Sequence, residues 1–266
     1  MPDELPLAAA RGPLTLEPAP VSPAIEVADD AERVRGAYAR RQSGHRYDWD
    51  QPGQLFMMQA LERQLLGALR RHHCLPLGKR RILEVGCGSG HFLRELIKWG
   101  AEPANLVGLD LLEARLVQAR PRTPAGVALL QGNAAAMDFA DGAFDVVLQM
   151  TMFTSILSAA VRRQVAAEML RVVAPGGWIV WYDLRVNNPR NPDVRAVRAA
   201  EIRALFPGAT IHLETATLAP PLARTLAPRA SWLCSLLAQV RLLRTHYLGF
   251  IQAPSPTPLR PESSHA

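Results

Sequence analysis

The stretch that most constrains this chain is Arg81 to Gly90, an apolar run ending in an acidic residue and followed by three glycines at alternate positions. Ile82, Leu83 and Val85 suit a strand buried on both faces, as in a parallel sheet. Gly86, Gly88 and Gly90 allow a sharp turn with the backbone pressed against a ligand, and a helix from His91 to Trp99 would aim its free N–H groups at that ligand. Dinucleotide folds require G-x-G-x-x-G, whereas this chain has G-x-G-x-G with His91 where the last glycine would fall. That departure disfavours NAD. A glycine-rich turn taken alone also serves as a plain strand-to-helix connection, so the rest of the chain must decide.

The following segments repeat the strand-helix rhythm. Asn105 to Asp110 is a short apolar run ending in an acid, followed by a helical stretch from Leu112 to Ala119. Asp110 at the end of a second strand is placed to receive the two ribose hydroxyls of a nucleoside, and is equally placed to cap the next helix. Val127 to Leu130 form a third strand, and Asn133 in the turn beyond it either meets an adenine amino group or is an ordinary turn asparagine. Phe144 to Gln149 make a fourth strand and Ala159 to Val173 a helix stopped by Pro175-Gly176-Gly177. Trp178 to Asp183 make the fifth. Further on come a helix to Phe206, a strand from Thr210 to Leu218, a helix from Ser231 to Leu243 and a strand from Thr245 to Gln252. Alternating strands and helices specify a parallel sheet covered on both faces.

Upstream, Gln54 to His72 carries apolar residues at helical spacing. The segment before it holds Tyr38, His45, Arg46, Tyr47 and Trp49, which are free to cover a ligand or to pack in the ordinary way. Residues 1–28 are rich in Pro and Ala and read as a disordered leader, residues 29–253 as one domain, and residues 254–266 as a disordered tail.

The chain has 266 residues and a formal net charge of +6, yet Lys79 and Lys98 are its only lysines and the arginines are scattered. They lack the aromatic interleaving of a base-stacking surface, which makes a nucleic-acid partner the alternative reading. Cys74, Cys87 and Cys234 fit neither a disulfide framework nor a metal-ligand spacing, so no metal is expected and a reducing, cytoplasmic setting fits. No uncharged apolar run reaches the ~18 residues of a membrane span.

Together, ILEVGCGSG at 82–90, LVGLD at 106–110, QGNAAAMDFADGAFDVV at 131–147 and LRVVAPGGWIVWYD at 170–183 resemble the class I S-adenosylmethionine-dependent methyltransferases, of the type called methyltransferase domain type 11. The resemblance runs from about Tyr38 to Ala253. It implies an α/β, Rossmann-like fold with a seven-stranded sheet of order 3-2-1-4-5-7-6, the last strand antiparallel, and an N-terminal helical lid. It further implies that S-adenosylmethionine is held by Tyr38, Glu84, Gly86, Cys87, Gly88, Gly90, Asp110, Leu111, Asn133, Ala134 and Gln149. Asn133 stands where many relatives have aspartate.

Methyl transfer from a sulfonium is an in-line displacement that mainly needs alignment, so specificity lies with the acceptor. The expected acceptor is a small molecule or a glycan, methylated on oxygen, with RNA as the alternative. A hydroxyl acceptor calls for a base. In open parallel sheets the ligand lies beyond the carboxyl ends of the strands, which places Tyr182 and Asp183 near it and His212 at the wrong end. His246 opens the reversed strand and so returns to the active end, as either base or structural residue; Arg224 is placed to meet an anionic acceptor. The stripe Leu233, Leu236, Leu237, Val240 and Leu243 is expected to pack in the core, in preference to forming a membrane-docking face.

Overall fold

The structure, a computed structural model, describes residues 23–40 and 48–254. Most of the expected leader, most of the tail, and His45, Arg46 and Tyr47 lie outside the described residues. Seven strands form one sheet: β1 (Ile82–Val85), β2 (Leu106–Asp110), β3 (Ala128–Gln131), β4 (Phe144–Met150), β5 (Val173–Leu184), β6 (Thr210–Leu218) and β7 (Arg244–Gln252). Their order is β3-β2-β1-β4-β5-β7-β6. β1 pairs in parallel with β2 and β4, while β7 runs antiparallel between β5 and β6. The central position of β1 explains why all four of its residues are buried, Ile82, Leu83 and Val85 as apolar packing and Glu84 as a buried acid among them.

Side-chain alternation divides the core into two layers. Val146, Leu148 and Met150 of β4, with Val180 and Tyr182 of β5, face α2 (Pro52–Arg71), α3 (His91–Lys98) and Leu116 of α4 (Glu113–Ala119). Val147, Ile179 and Trp181 face α5 (Ala159–Val172) and α6 (Ala199–Leu205). Two further helices flank this sandwich: α1 (Pro23–Arg40) lies on α5, and α7 (Pro220–Leu237) lies on α2.

Three boundaries differ from the sequence reading. α1 starts at Pro23, so residues 23–28, assigned to the leader, are helical. Pro175-Gly176-Gly177 does not end a helix ahead of the fifth strand; β5 begins at Val173, and the three residues lie at a register shift opposite Phe144 and Val146. The last helix begins at Pro220 instead of Ser231. Proline is tolerated in a first helical turn, and Pro228 inside α7 accompanies a break at Ala230, where φ is −151°. The expected core stripe is split: Leu237 and Leu243 pack inward, whereas Leu236 and Val240 are exposed.

Candidate active site

A cavity of about 250 Å³ opens beyond the carboxyl ends of β1, β2, β3 and β4. The glycine turn forms its floor. Gly86, Gly88 and Gly90 have φ of 74°, 53° and 73°, a region that residues with a Cβ rarely adopt. The turn is tied to the end of β2, because the Gly86 and Cys87 N–H groups both donate to the Leu109 carbonyl at 2.7 and 3.1 Å. A Cβ on Gly86 would stand 3.0 Å from Met152, and one on Gly88 would stand 3.0 Å from the Arg115 guanidinium. Cys87 offers its backbone to the cavity while its thiol is buried and pushed well above the usual thiol range, first by desolvation.

Two carboxylates converge here. Glu84 is 2% exposed and its Oε2 has no hydrogen-bond partner. Burial, followed by the neighbouring Asp110 charge, holds its pKa well above the ordinary carboxylate range. Asp110 accepts the Gly88 N–H at 2.7 Å through one oxygen and the Leu112 N–H at 2.8 Å through the other. It therefore holds the turn that leads from β2 into α4 and fastens the glycine turn at the same time, without capping α4 itself, and desolvation raises its pKa. Asn133 has the turn role, with Oδ1 accepting the Ala135 N–H at 3.0 Å. Leu111, Asn133 and Ala134 complete the nucleoside side of the lining.

The opposite wall comes from α1 and from the loop after β4. Val27, Ala31, Val34 and Tyr38 line the cavity at helical spacing, facing Met152 and Ile156. α1 is clamped to that loop: Glu26 accepts from the Ser158 hydroxyl at 2.8 Å, Asp30 accepts the Leu157 N–H at 3.2 Å, and Arg33 donates to the Ser155 carbonyl. Arg115 crosses the mouth with its guanidinium carbon 5.8 Å from the Tyr38 ring centroid. Trp49 lies against His91 at 5.3 Å between ring centroids, and His91 itself lines the cavity. Arg115, Met152, Ile156 and, of the α1 stripe, Val27, Ala31 and Val34 are not among the residues the sequence points to, whereas Tyr38 is. The stripe at 27, 31, 34 and 38 carried a helical period, whereas nothing in the sequence marks Arg115.

Gly90 and Gln149 do not line the cavity. Gly90 makes the turn into α3, where a Cβ would meet the Thr123 hydroxyl at 2.8 Å. Gln149 is fully buried and organises the wall from beneath, accepting the Met152 N–H at 3.1 Å and donating to the Tyr182 carbonyl at 3.4 Å. Tyr182, Asp183 and His246 also lie outside the lining. Tyr182 stacks on His246 with ring centroids 4.7 Å apart and bonds the Thr217 hydroxyl at 2.6 Å. Its carbonyl accepts the Thr151 N–H at 2.6 Å. Thr151 and Thr217 are both held at positive φ, 65° and 59°, so two strained β-branched residues are bound to one tyrosine. Desolvation lowers the His246 pKa to about 3, and Nδ1 lies 3.0 Å from the Thr245 hydroxyl.

Asp183 points to the other face of the sheet, as the neighbour of Tyr182 on a strand must. There it accepts the N–H groups of Thr154 at 3.1 Å and Leu184 at 2.8 Å, and desolvation raises its pKa to about 7. His212 sits with His72 and Trp178 at the remote end of the sheet, as expected. Arg224 lies in the first turns of α7 against Gly53, where a Cβ would stand 2.6 Å from its Cα. Among the described residues, the ligand atoms of Glu62, His91 and Glu95 gather within 4.8 Å of one another. The Lys98 ammonium already bridges both carboxylates at 3.1 and 2.5 Å, and supplies the cation there.

Residues 82–177 match the family described as "Methyltransferase domain". Over that stretch, about a third of the chain, the protein carries a methyltransferase domain of the class I S-adenosylmethionine-dependent type. The chain is 40% identical over 116 residues to the phthiotriol/phenolphthiotriol dimycocerosates methyltransferase of Mycobacterium tuberculosis, covering 43% of this chain and 41% of that protein. It is 32% identical over 139 residues to the ubiquinone biosynthesis O-methyltransferase of Thiobacillus denitrificans, covering 51% and 57%. The chain thus spans about half the length of these two relatives. In fold it is similar to the [4+2]-cyclase SpnF, with a TM-score of 0.55, 18% identity, and coverage of 90% and 98%.

The residues present fit S-adenosylmethionine. The unpartnered Glu84 Oε2 suits an ammonium, the bare glycine turn leaves room that a Cβ would fill, and Asp110 retains oxygen lone pairs beyond those its two backbone partners use.

Proposed function

We propose that this methyltransferase moves the methyl group of S-adenosylmethionine to a hydroxyl of a small, apolar, lipid-like acceptor. The observation that carries the reading is the two-sided character of the cavity: carboxylates and bare backbone on the β1 and β2 side, apolar side chains on the α1 side. The sulfonium donor supplies an activated methyl carbon, so the protein's task is to hold, align and exclude water. Glu84 would hold the amino end, Gly86 to Gly88 the chain beside it, Asp110 the ribose, and Leu111, Asn133 and Ala134 the adenine. Tyr38 and Arg115 would close the mouth. Val27, Ala31, Val34, Met152 and Ile156 would receive apolar surface from the acceptor, which favours a lipid-like molecule over a glycan. Tyr182, stacked on His246 and bonded to both strained threonines, would be a positioning residue that fixes Thr151 at the cavity.

Two relatives support the acceptor class by their names, one methylating phthiotriol or phenolphthiotriol dimycocerosates and one acting as an O-methyltransferase in ubiquinone biosynthesis. The test is incubation with methyl-labelled cofactor and fractionated cell extract, read by mass spectrometry. Label is expected in the organic-soluble fraction as a methoxy group. Label confined to RNA or to polar glycans would overturn the acceptor class. Cofactor binding without label in any fraction would overturn methyl transfer itself.

A further inference from the structure

The second part of α7 is amphipathic in an unexpected sense, because both of its faces are apolar. Its inner face is already satisfied: Cys234 is buried with Ala223 and Ala227, against Met57 and Leu218. Its outer face carries Trp232, Leu236 and Val240, four residues apart and 69%, 61% and 46% exposed. Backbone bonds from Ala238, Gln239 and Val240 to Cys234, Leu236 and Leu237 continue the helical turn through Val240. Leu242 follows at 86% exposed. Four large, exposed apolar side chains fall within eleven residues, a local concentration unlike the scattered singles normal for a protein surface.

The charge around this patch has one sign. Residues 215–254 contain no Asp, Glu or Lys and four arginines, Arg224, Arg229, Arg241 and Arg244. Arg244 is engaged, its guanidinium donating to the carbonyls of Ala238 and Thr215. Arg229 and Arg241 are exposed and bracket the stripe, one three residues before Trp232 and the other directly after Val240.

We propose that this face of α7 docks on an anionic lipid bilayer surface, with Trp232, Leu236, Val240 and Leu242 entering the headgroup boundary and Arg229 and Arg241 meeting lipid phosphates. Apolar residues bordered by cations, with tryptophan among them, match the interface between acyl chains and charged headgroups. A second copy of the chain fits poorly. An isologous contact would set Arg229 and Arg241 against their own copies, with no acidic residue anywhere in the segment to pair with them. The inference rests on α7 and not on the identity of the acceptor.

The experiment is co-sedimentation of the full chain, without cofactor, on vesicles of phosphatidylcholine alone or mixed with phosphatidylglycerol. Binding to the mixed vesicles is expected, weakening with salt, together with a blue shift of tryptophan emission. The pair Trp232→Ser and Leu236→Ser should reduce the partition coefficient by on the order of tenfold or more. Arg229→Gln with Arg241→Gln should remove the preference for anionic vesicles. Both double variants should keep the cofactor affinity of the parent, which shows that they fold and separates this result from the methyl-transfer reading. The proposal is overturned if the parent ignores vesicles, or if it binds them only after residues 1–22 are removed, which would make that segment the occupant. It is equally overturned if the serine pair instead abolishes a concentration-dependent dimer, or if an acidic protein competes the chain off vesicles that the serine pair still binds.

Discussion

Glu84→Gln separates a functional carboxylate from a structural one, because it should strengthen the empty protein and weaken its complex. Glu84 is buried with one oxygen unpartnered, and desolvation and Asp110 raise its folded pKa above the ordinary value of 4.5. Its contribution to stability therefore changes as pH rises from 4.5 toward the folded value. The unfolded chain gives up the proton first, the folded state retains it, and stability falls by ~1.4 kcal/mol per pH unit across that window. Glutamine has the same shape and no titration, so it abolishes this slope. Removing this cost of keeping a buried carboxyl protonated should stabilise the ligand-free protein near neutral pH by on the order of 1–3 kcal/mol, a rise in Tm of roughly 2–4 °C per kcal/mol. The bound cofactor's ammonium would lose a charge-assisted hydrogen bond, worth about 1.5–3 kcal/mol, or roughly a 10-fold to 150-fold weaker Kd. Differential scanning calorimetry with and without S-adenosylhomocysteine reads both quantities, since that analogue carries the same ammonium. A variant that melts lower and binds as well as the parent would refute the reasoning and make Glu84 a structural residue.

Two further outcomes follow from the same cavity. Asp110→Ala should weaken the cofactor by at least about tenfold and also lower Tm, because the Gly88 and Leu112 N–H groups lose their acceptor; calorimetric titration showing unchanged affinity would leave Asp110 as a turn residue alone. For His246 the folded pKa of about 3 lies below the ordinary 6.5, so its contribution to stability is present above pH 6.5 and lost as pH falls toward 3, a loss that His246→Gln should flatten in acid titrations of Tm. The same variant should leave the pH profile of turnover between about 5 and 8 unchanged, since an imidazole already neutral there has no proton to lose. Disappearance of an acidic limb would restore His246 as the base.

What was legible in the sequence is what backbone geometry dictates. Gly86, Gly88 and Gly90 announced a left-handed turn because alternatives with a Cβ are strained, and all three adopt it. β1 was legible because a strand paired on both edges and covered on both faces is apolar, as it is at Ile82, Leu83 and Val85, and Glu84 stands out as its single acid. For Asp110 the sequence leaves a ribose ligand and a helix cap open; the structure does not make it the cap of α4, and its turn bond to Leu112 leaves lone pairs for a ligand. The α1 wall was lost to composition. Prolines up to Pro23 extended the apparent leader past the true helix start, hiding Val27 and with it the period of the stripe it begins.

The acceptor side was less legible because its members were chosen by strand position alone. Position along β5 puts Tyr182 and Asp183 at the ligand-facing end, but consecutive strand residues point to opposite faces, so the two were never candidates for one pocket. Tyr182 goes to the α2 face and meets His246 and Thr217, while Asp183 goes to the α5 face and fixes the Thr154 backbone. α7 failed for a related reason. A leucine stripe records that a helix has an apolar face, not how many of its faces are covered, and the break at Ala230 rotates the second part so that Cys234 turns inward and Trp232 and Leu236 turn out. The residues most exposed by that rotation are those for which burial against the sheet supplies no reason. Surface function is the remaining physical account of an exposed tryptophan and three aliphatic side chains beside two arginines.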